Sequence, residues 1–175
     1  MKTLIKNIKK LITVTQKSEI KKGKDMDKLS SINDAWVLIE NEKISDFGSK
    51  KDLHKIKNIK KTKTIDAENG MVMPCWCDSH THIVYSGSRE EEFVDRIKGL
   101  SYEEIAKNGG GILNSSKKLK KTSEEELFQQ SISRVNEVIK KGTGCLEIKS
   151  GYGLNIKDEI KMLKVIRKLK NNYPI

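Results

Sequence analysis

Two histidines in the sequence Asp-Ser-His-Thr-His at 78–82 have a spacing that could bind a metal ion. They follow the apolar run 71–76, which predicts a strand, and residues two apart on a strand project from the same face. Imidazole nitrogens are common zinc ligands, and a catalytic zinc needs several protein ligands and one open position for water. The motif therefore predicts that His80 and His82 form part of a metal site. The open alternative is a pair of histidines that make ordinary hydrogen bonds.

Three cysteines lie near this motif or follow it: Cys75, Cys77 and Cys145. Strict alternation along an extended 71–82 segment would place Cys75 and Cys77 on the face opposite the histidines. A combined thiolate and imidazole site is therefore disfavoured, and we interpret the cysteines as small packing residues. The remaining histidine, His54, lies in the polar region 50–63 and is expected at the surface.

Arg89 follows the histidines closely and could hold a substrate carboxylate through two parallel hydrogen bonds. The alternative is an ion pair on a helix surface with the neighbouring glutamates at 90–92. The glycines at 109–111 lack the Lys-Ser or Lys-Thr that completes a phosphate-binding loop, so they predict a tight, closely packed loop instead.

The elements that would position these groups change character near residue 70. Before that point, short β-like runs at 4–8 and 11–15 are followed by a polar stretch, 17–33, which predicts a loop or insertion. The runs 35–40 and 43–47 predict a hairpin that turns at 41–42.

Beyond residue 70 the pattern is strand followed by helix. Ser123 and Glu126 have the spacing of a helix start, and Gly142 predicts its end. Between them, apolar residues recur at helical spacing: Phe128, Ile132, Val135 and Ile139. A strand at 143–150 and a helix from about 157 complete a repeated unit that predicts parallel strands. Loops at the carboxyl ends of parallel strands carry function, so the histidines and the loop at 150–153 are expected to share a pocket.

The composition limits the class of protein. The chain carries a formal charge of +11, but its lysines are dispersed and only 5% of its residues are aromatic, which argues against a nucleic-acid partner. No apolar run approaches the roughly 18 residues that cross a membrane. An odd number of cysteines without a secretory leader predicts reduced thiols and a cytoplasmic location. A basic fragment that binds polyanions is the non-enzymatic alternative.

The segment 71–169 closely resembles imidazolonepropionase, a family of the amidohydrolase superfamily. The matching stretches are 72–74, 78–82, 87–93, 109–113 and 147–154. The histidine motif marks only the superfamily, whereas the arginine and tyrosine motifs are more specific. The first third fits more loosely, at 35–47 and 65–68. The chain departs from the family at 75–77, where Cys-Trp-Cys replaces the usual Gly-Phe-Val, and at 143–145.

The resemblance implies an α/β fold. Residues 1–70 would be the amino-terminal part of a small β-sandwich domain, and 71–175 the first βα units of a metal-dependent hydrolase (β/α)8 TIM-type barrel. Only two or three such units are visible before Ile175, so the barrel is incomplete in this chain. We therefore expect the isolated chain to be inactive, with the catalytic groups and remaining metal ligands beyond that residue.

The implied reaction is hydrolysis of 4-imidazolone-5-propanoate to N-formimidoyl-L-glutamate in histidine degradation. One divalent ion, zinc or iron, would be held partly by His80 and His82 and would activate a water molecule. By the same resemblance, Arg89 and Tyr152 would contact the small-molecule substrate, with Tyr102 a weaker candidate. The resemblance is compatible with a homodimer. The alternative within the superfamily is another cyclic amidohydrolase or a deaminase.

Overall fold

The computed structural model describes residues 2–13, 20–56, 62–173 and 175. The chain divides into two compact units, Met1–Pro74 and Cys75–Ile175. The domains expected from the sequence, 1–70 and 71–175, remain a prediction.

The described residues of the first unit form a five-stranded mixed sheet. Its strands are β1 (Lys2–Ile12), β2 (Ser31–Glu40), β3 (Lys43–Ser49), β4 (Lys63–Asp66) and β5 (Met71–Val72). Strand β1 lies at the centre: it pairs antiparallel with β2 and parallel with both β4 and β5, while β3 extends the sheet beyond β2. Two short 3-10 helices, Gly23–Asp27 and Lys50–Lys55, accompany the sheet.

The predicted hairpin between β2 and β3 is confirmed. Asn41 and Glu42 both have left-handed backbone angles, with φ of 49° and 67°, as a two-residue turn between twisted strands requires. The separate runs predicted at 4–8 and 11–15 are wrong, because β1 is continuous through Ile12; residues 14 and 15 lie outside the described residues. A bulge at Asn7, with φ of 55°, interrupts the alternation that suggested two strands.

Buried residues of this unit form two clusters. One contains Leu4, Trp36 and Leu38, with Leu53 and Ile56 packed against it. The other is built around Ile8, Leu11, Ala35 and Val37. Alternating positions of β2 thus supply both clusters, as expected for a strand whose two faces are covered.

The second unit contains two parallel strands and five helices. They are β6 (Trp76–Thr81), α1 (Glu90–Ile97), α2 (Tyr102–Lys107), α3 (Gly111–Lys121), α4 (Glu124–Lys140), β7 (Thr143–Ile148) and α5 (Ile156–Asn172). The pairing of β6 with β7 is parallel, as predicted. Helix α4 begins as predicted, since the Ser123 side chain accepts a hydrogen bond from the Glu126 backbone N–H at 3.1 Å. Gly142, with φ of 96°, follows its end.

The apolar run 71–76 is not one strand. Met71 and Val72 belong to β5 of the first sheet, and a new strand, β6, begins at Trp76. Pro74, which lies between them, has no backbone N–H and cannot donate to a sheet ladder. The break separates the histidine motif from the sheet of the first unit.

Helices α3, α4 and α5 enclose the core of the second unit. Its fully buried members include Val84, Leu119, Leu127, Val135 and Met162. From β7, Leu146 and Ile148 pack against this core, whereas the alternating Cys145 and Glu147 are exposed. One face of the β6–β7 pair is therefore anchored on helices, and that packing fixes the strand ends that carry the candidate site.

Candidate functional site

The two motif histidines lie at the carboxyl end of β6. Their ring centroids are 5.3 Å apart, and the rings meet edge to face. His80 is exposed, whereas the Nδ1 atom of His82 is buried and has no hydrogen-bond partner among the described residues. A buried imidazole nitrogen without a partner is costly, so this site favours a further ligand at His82.

Strict alternation along β6 fails. The register with β7 shifts between Trp76 and Cys77 and again between Asp78 and Thr81. Cys77 pairs with Cys145 and Thr81 pairs with Ile148, so His80, the neighbour of Thr81, lies on the same face as Glu147. Because Cys145 and Glu147 are two apart on β7, Cys77 and His80 lie on the same face. The predicted opposition of thiols and imidazoles is therefore wrong, since the irregular register resets the alternation.

The cysteines also differ from their interpretation as packing residues. All three are free thiols and exposed in the part of the chain that the structure describes. His54, in contrast, is exposed as expected.

Arg89 is both an ion-pair partner and a lining residue of a pocket. Its Nε donates to Glu92 Oε2 at 2.9 Å, and its Nη2 is bonded to the same oxygen. Glu92 accepts a further hydrogen bond at 3.0 Å from the backbone N–H of Gly111, the first residue of α3. The predicted alternative of a helix-surface ion pair is thus present, and it ties the guanidinium to a second helix.

The pKa values of this pair follow from the contact. The hydrogen bond from Arg89 holds the pKa of Glu92 below its ordinary value, although burial opposes the shift. The same bond raises the pKa of Arg89, with smaller contributions from Tyr152 and Tyr102. Arg89 is therefore a permanent cation in a position that Glu92 fixes.

Tyr152 lies in the loop between β7 and α5, and its ring centroid is 5.1 Å from that of His82. The loop is organised by Glu159 of α5. Its Oε2 accepts from the backbone N–H of Gly151 at 2.8 Å, and its Oε1 accepts from those of Gly153 at 2.7 Å and Leu154 at 3.0 Å. A single carboxylate thus satisfies three backbone donors around the tyrosine.

The loop also requires glycine at position 153. A Cβ built there would lie 2.5 Å from the backbone nitrogen of Glu159, so the start of α5 approaches too closely for any side chain. At position 151 the positive φ of 129° favours glycine, and a Cβ built there would be in van der Waals contact with His82 Cε1 at 3.7 Å. The loop therefore packs its backbone directly against both the helix and the histidine.

Tyr102 is more exposed than Tyr152. It is the first residue of α2, which Ser101 and Glu104 begin with a reciprocal capping box. Its hydroxyl would lie 3.5 Å from a Cβ at Gly111. Tyr102 is thus near the Glu92 anchor but does not line the pocket that contains Tyr152. The closely packed glycine loop is confirmed at Gly110, where a Cβ would lie 2.7 Å from Ile105 Cγ2.

Residues from three separate segments line one pocket of about 420 Å³. They are His82, Tyr85, Gly87, Ser88, Arg89, Glu90, Phe93, Ser115 and Tyr152. The pocket therefore combines an imidazole, a guanidinium and a phenol. A larger cavity of about 690 Å³ lies along α5 and contains none of the motif residues; its lining includes Lys120, Lys157, Lys161 and Lys164.

Two anchoring contacts were not predicted from the sequence: the bond between Glu92 and α3, and the role of Glu159. Glu92 stands three positions after Arg89, which is a signal for an ion pair on a helix but not for its bond to Gly111. Nothing in the local pattern connects Glu159 with the loop at 151–154, because its role depends on how closely α5 follows β7.

The described residues contain no group of three or more His, Cys, Asp or Glu side chains that could hold a metal ion. The two histidines fit a metal as part of a ligand set: adjacent rings, one with a buried and unpartnered nitrogen. Among the described helices, none is long and apolar enough to cross a membrane.

Comparison with curated proteins identifies the family to which the sequence belongs. The chain is 57% identical over 176 residues to the imidazolonepropionase of Christiangramia forsetii and 40% identical over 172 residues to that of Clostridium tetani. By sequence, the chain belongs to the imidazolonepropionase family. The first match covers 100% of this chain but only 42% of the C. forsetii protein, and the second covers 98% of this chain but only 41% of the C. tetani protein. No family model matches the chain.

Solved structures identify the fold. Guanine deaminase of Escherichia coli is 14% identical with a TM-score of 0.64, and the match covers 97% of this chain and 34% of the deaminase. An uncharacterized metal-dependent hydrolase from Pyrococcus furiosus is 14% identical with a TM-score of 0.58, covering 100% and 48%. Such neighbours are amidohydrolases with TIM-type barrels, so the predicted fold class is confirmed for this imidazolonepropionase segment.

Proposed function

We propose that this chain supplies the metal-binding histidines and the substrate-binding arginine and tyrosine of an imidazolonepropionase. The enzyme would hydrolyse 4-imidazolone-5-propanoate to N-formimidoyl-L-glutamate in histidine degradation. The observation that carries the proposal is the shared pocket, where His82 and Arg89 meet Tyr152, which is about 60 residues further along the chain. Family membership supports the substrate, and the pocket chemistry suits it.

The metal would be held in part by His80 and His82. One divalent ion, zinc or iron, would supply a hydroxide at neutral pH by lowering the pKa of bound water. Support comes from the unpartnered Nδ1 of His82 and from metal-dependent hydrolases among the structural neighbours. One of these, an atrazine chlorohydrolase of Arthrobacter aurescens with a TM-score of 0.50, was solved with zinc. Further ligands would come from outside the described residues.

Arg89 would bind the propanoate carboxylate of the substrate. Glu92 engages Nε and Nη2, which leaves Nη1 to face a second anion. The ion pair restricts the rotation of the long side chain before the substrate arrives, so less conformational entropy is lost on binding. A guanidinium suits a planar carboxylate better than an ammonium does because it can donate two directed hydrogen bonds.

Tyr152 would place the imidazolone ring between Arg89 and the histidines. Its ring lies against His82, and its loop is held by Glu159. Tyr102 would act at the outer side of the site, near Gly111. The proposal includes a cytoplasmic location and a small-molecule substrate as the partner, and it is compatible with a homodimer.

A chimera tests the proposal. Residues 1–175 would replace the matching segment of the C. forsetii protein, and the intact C. forsetii protein would serve as the control. We expect the metal-loaded chimera to convert 4-imidazolone-5-propanoate to N-formimidoyl-L-glutamate, followed by loss of imidazolone absorbance and by mass spectrometry. The 175-residue chain alone should show no turnover.

A folded, metal-loaded chimera without this activity would overturn the proposal. Deamination of guanine, or opening of a different cyclic amide, would favour the alternative amidohydrolase. Circular dichroism and metal analysis of the chimera separate both outcomes from simple misfolding.

A further inference from the structure

The three cysteines of the chain lie close together around the start of β6 and β7. Cys77 and Cys145 are register partners across the parallel pair. Cys75 packs against the backbone of β7, since a Cβ at Gly144 would lie 2.3 Å from its sulfur. Because Cys145 is far from Cys75 and Cys77 in sequence, its proximity to them is a consequence of the fold.

Cys77 and Cys145 have the geometry from which a disulfide can close. Neighbouring strands lie about 4.8 Å apart, and a disulfide joins Cα atoms at about 4.4–6.8 Å. Both residues are exposed in the described part of the chain, so a small oxidant can reach them.

We propose that Cys77 and Cys145 form a reversible disulfide when the chain meets a hydroperoxide, which makes the pair an oxidative modification site between β6 and β7. The site is independent of the proposed hydrolase activity. It would join covalently the strand that leads to His80 and the strand that leads to the Tyr152 loop.

The reaction balances with the hydroperoxide as oxidant. One thiol releases its proton, and the thiolate attacks the terminal oxygen of the peroxide; the O–O bond breaks, a sulfenic acid forms, and the alkoxide takes up the released proton to leave as an alcohol, or as water when the oxidant is hydrogen peroxide. The second thiol attacks the sulfenic sulfur, the S–S bond forms, and the oxygen leaves as water with the proton of that thiol. Each cysteine sulfur loses one electron, and the peroxide gains two.

The hydrogen bond to Cys145 raises the pKa of Cys77, and neighbouring charges add to this effect. Less thiolate is therefore present near neutral pH than in an isolated cysteine, and oxidation should accelerate as the pH rises. This dependence gives the reaction a second measurable property besides the identity of the bond.

The unfolded chain would favour a different pair. Cys75 and Cys77 are two residues apart, so without the fold their sulfurs meet far more often than either meets Cys145. Formation of the 77–145 bond in the native chain, and its replacement by the 75–77 bond in concentrated urea, would therefore report the strand pairing directly.

The test treats the 175-residue chain with hydrogen peroxide, blocks residual thiols with iodoacetamide and maps the peptides by mass spectrometry without reduction. We expect a loss of two of the three thiols, a cross-linked peptide containing Cys77 and Cys145, and recovery of all thiols with dithiothreitol. The matched control Cys75→Ser should still form this bond, whereas Cys77→Ser and Cys145→Ser should not.

Three results would overturn the proposal. They are retention of all thiols under peroxide, oxidation to sulfinic or sulfonic acids without a cross-link, and a native cross-link that contains Cys75. Circular dichroism of each serine variant before oxidation ensures that a lost bond reflects the missing thiol and not a lost fold.

Discussion

The groups that would bind substrate and the histidines that would bind metal are held in different ways. Arg89 and the Tyr152 loop are each fixed by one carboxylate, Glu92 and Glu159, through several hydrogen bonds at or below 3.0 Å. The histidine pair has no such anchor among the described residues, and the Nδ1 of His82 has no partner there. Arg89 and the Tyr152 loop are therefore held by hydrogen bonds within the chain, whereas the described residues supply no such bonds to the imidazole of His82.

Removal of a histidine should have the largest effect. In the chimera, His80→Ala deletes one proposed metal ligand, and we expect bound metal to be lost and kcat/KM to fall by more than about 100-fold, since changes that only touch a metal's outer partners already cost up to that much. Elemental analysis and kinetics measure both quantities. His54→Ala, at an exposed histidine of the first unit, is the matched control and should change neither. Stoichiometric metal in His80→Ala would remove His80 from the ligand set.

Replacement of Arg89 should have the next largest effect. It should weaken substrate binding without changing the amount of bound metal. Arg89→Met removes a charge-assisted contact worth about 2–2.8 kcal/mol, so kcat/KM should fall by about 30- to 100-fold while bound metal stays unchanged. The exposed Arg167 on α5 offers a matched control, Arg167→Met, which should be neutral. If Arg89→Met released metal, the division into two independently held regions would be wrong.

The sequence predicted the periodic and the local features of the second unit well. Helix α4 follows from its apolar spacing between Ser123 and Gly142, and the parallel β6–β7 pair follows from the alternation of strand and helix. These features depend on neighbouring residues and on a repeated pattern, both of which are visible in one sequence.

Other features could not be predicted because they depend on contacts over long separations. The register shifts in β6 put Cys77 on the face of His80, and no count of residues along one strand reveals a bulge that its partner imposes. In the same way, the apolar run 71–76 predicted one strand, and only the pairing of Met71 with Lys10 assigns Met71 to the first sheet.

The smallest effect is expected from the Glu159 anchor. In Glu159→Gln one side-chain oxygen still accepts hydrogen bonds, but the charge is lost and one acceptor becomes a donor that faces backbone N–H groups. We expect a loss of about 1 kcal/mol, or about a fivefold rise in KM, with kcat and bound metal nearly unchanged. Glu137→Gln is the matched control, because Glu137 is exposed and pairs only with Lys141 among the described residues.

The same anchor predicts a pH dependence with a definite sign. Burial raises the pKa of Glu159, but hydrogen bonds from Ser150 and from the backbone of Leu154, Gly153 and Gly151 outweigh it, so the pKa lies below its ordinary value of 4.5. A lowered folded-state pKa stabilises the loop above that ordinary value, and the stabilisation is lost as the pH falls through the folded-state pKa. Amide exchange of Gly151 and Gly153 should therefore accelerate, relative to its intrinsic rate, on acidification in the parent chain. Glu159→Gln should show faster exchange at neutral pH and no acid step; an acid step that persists in the variant would assign the loop's order to another group.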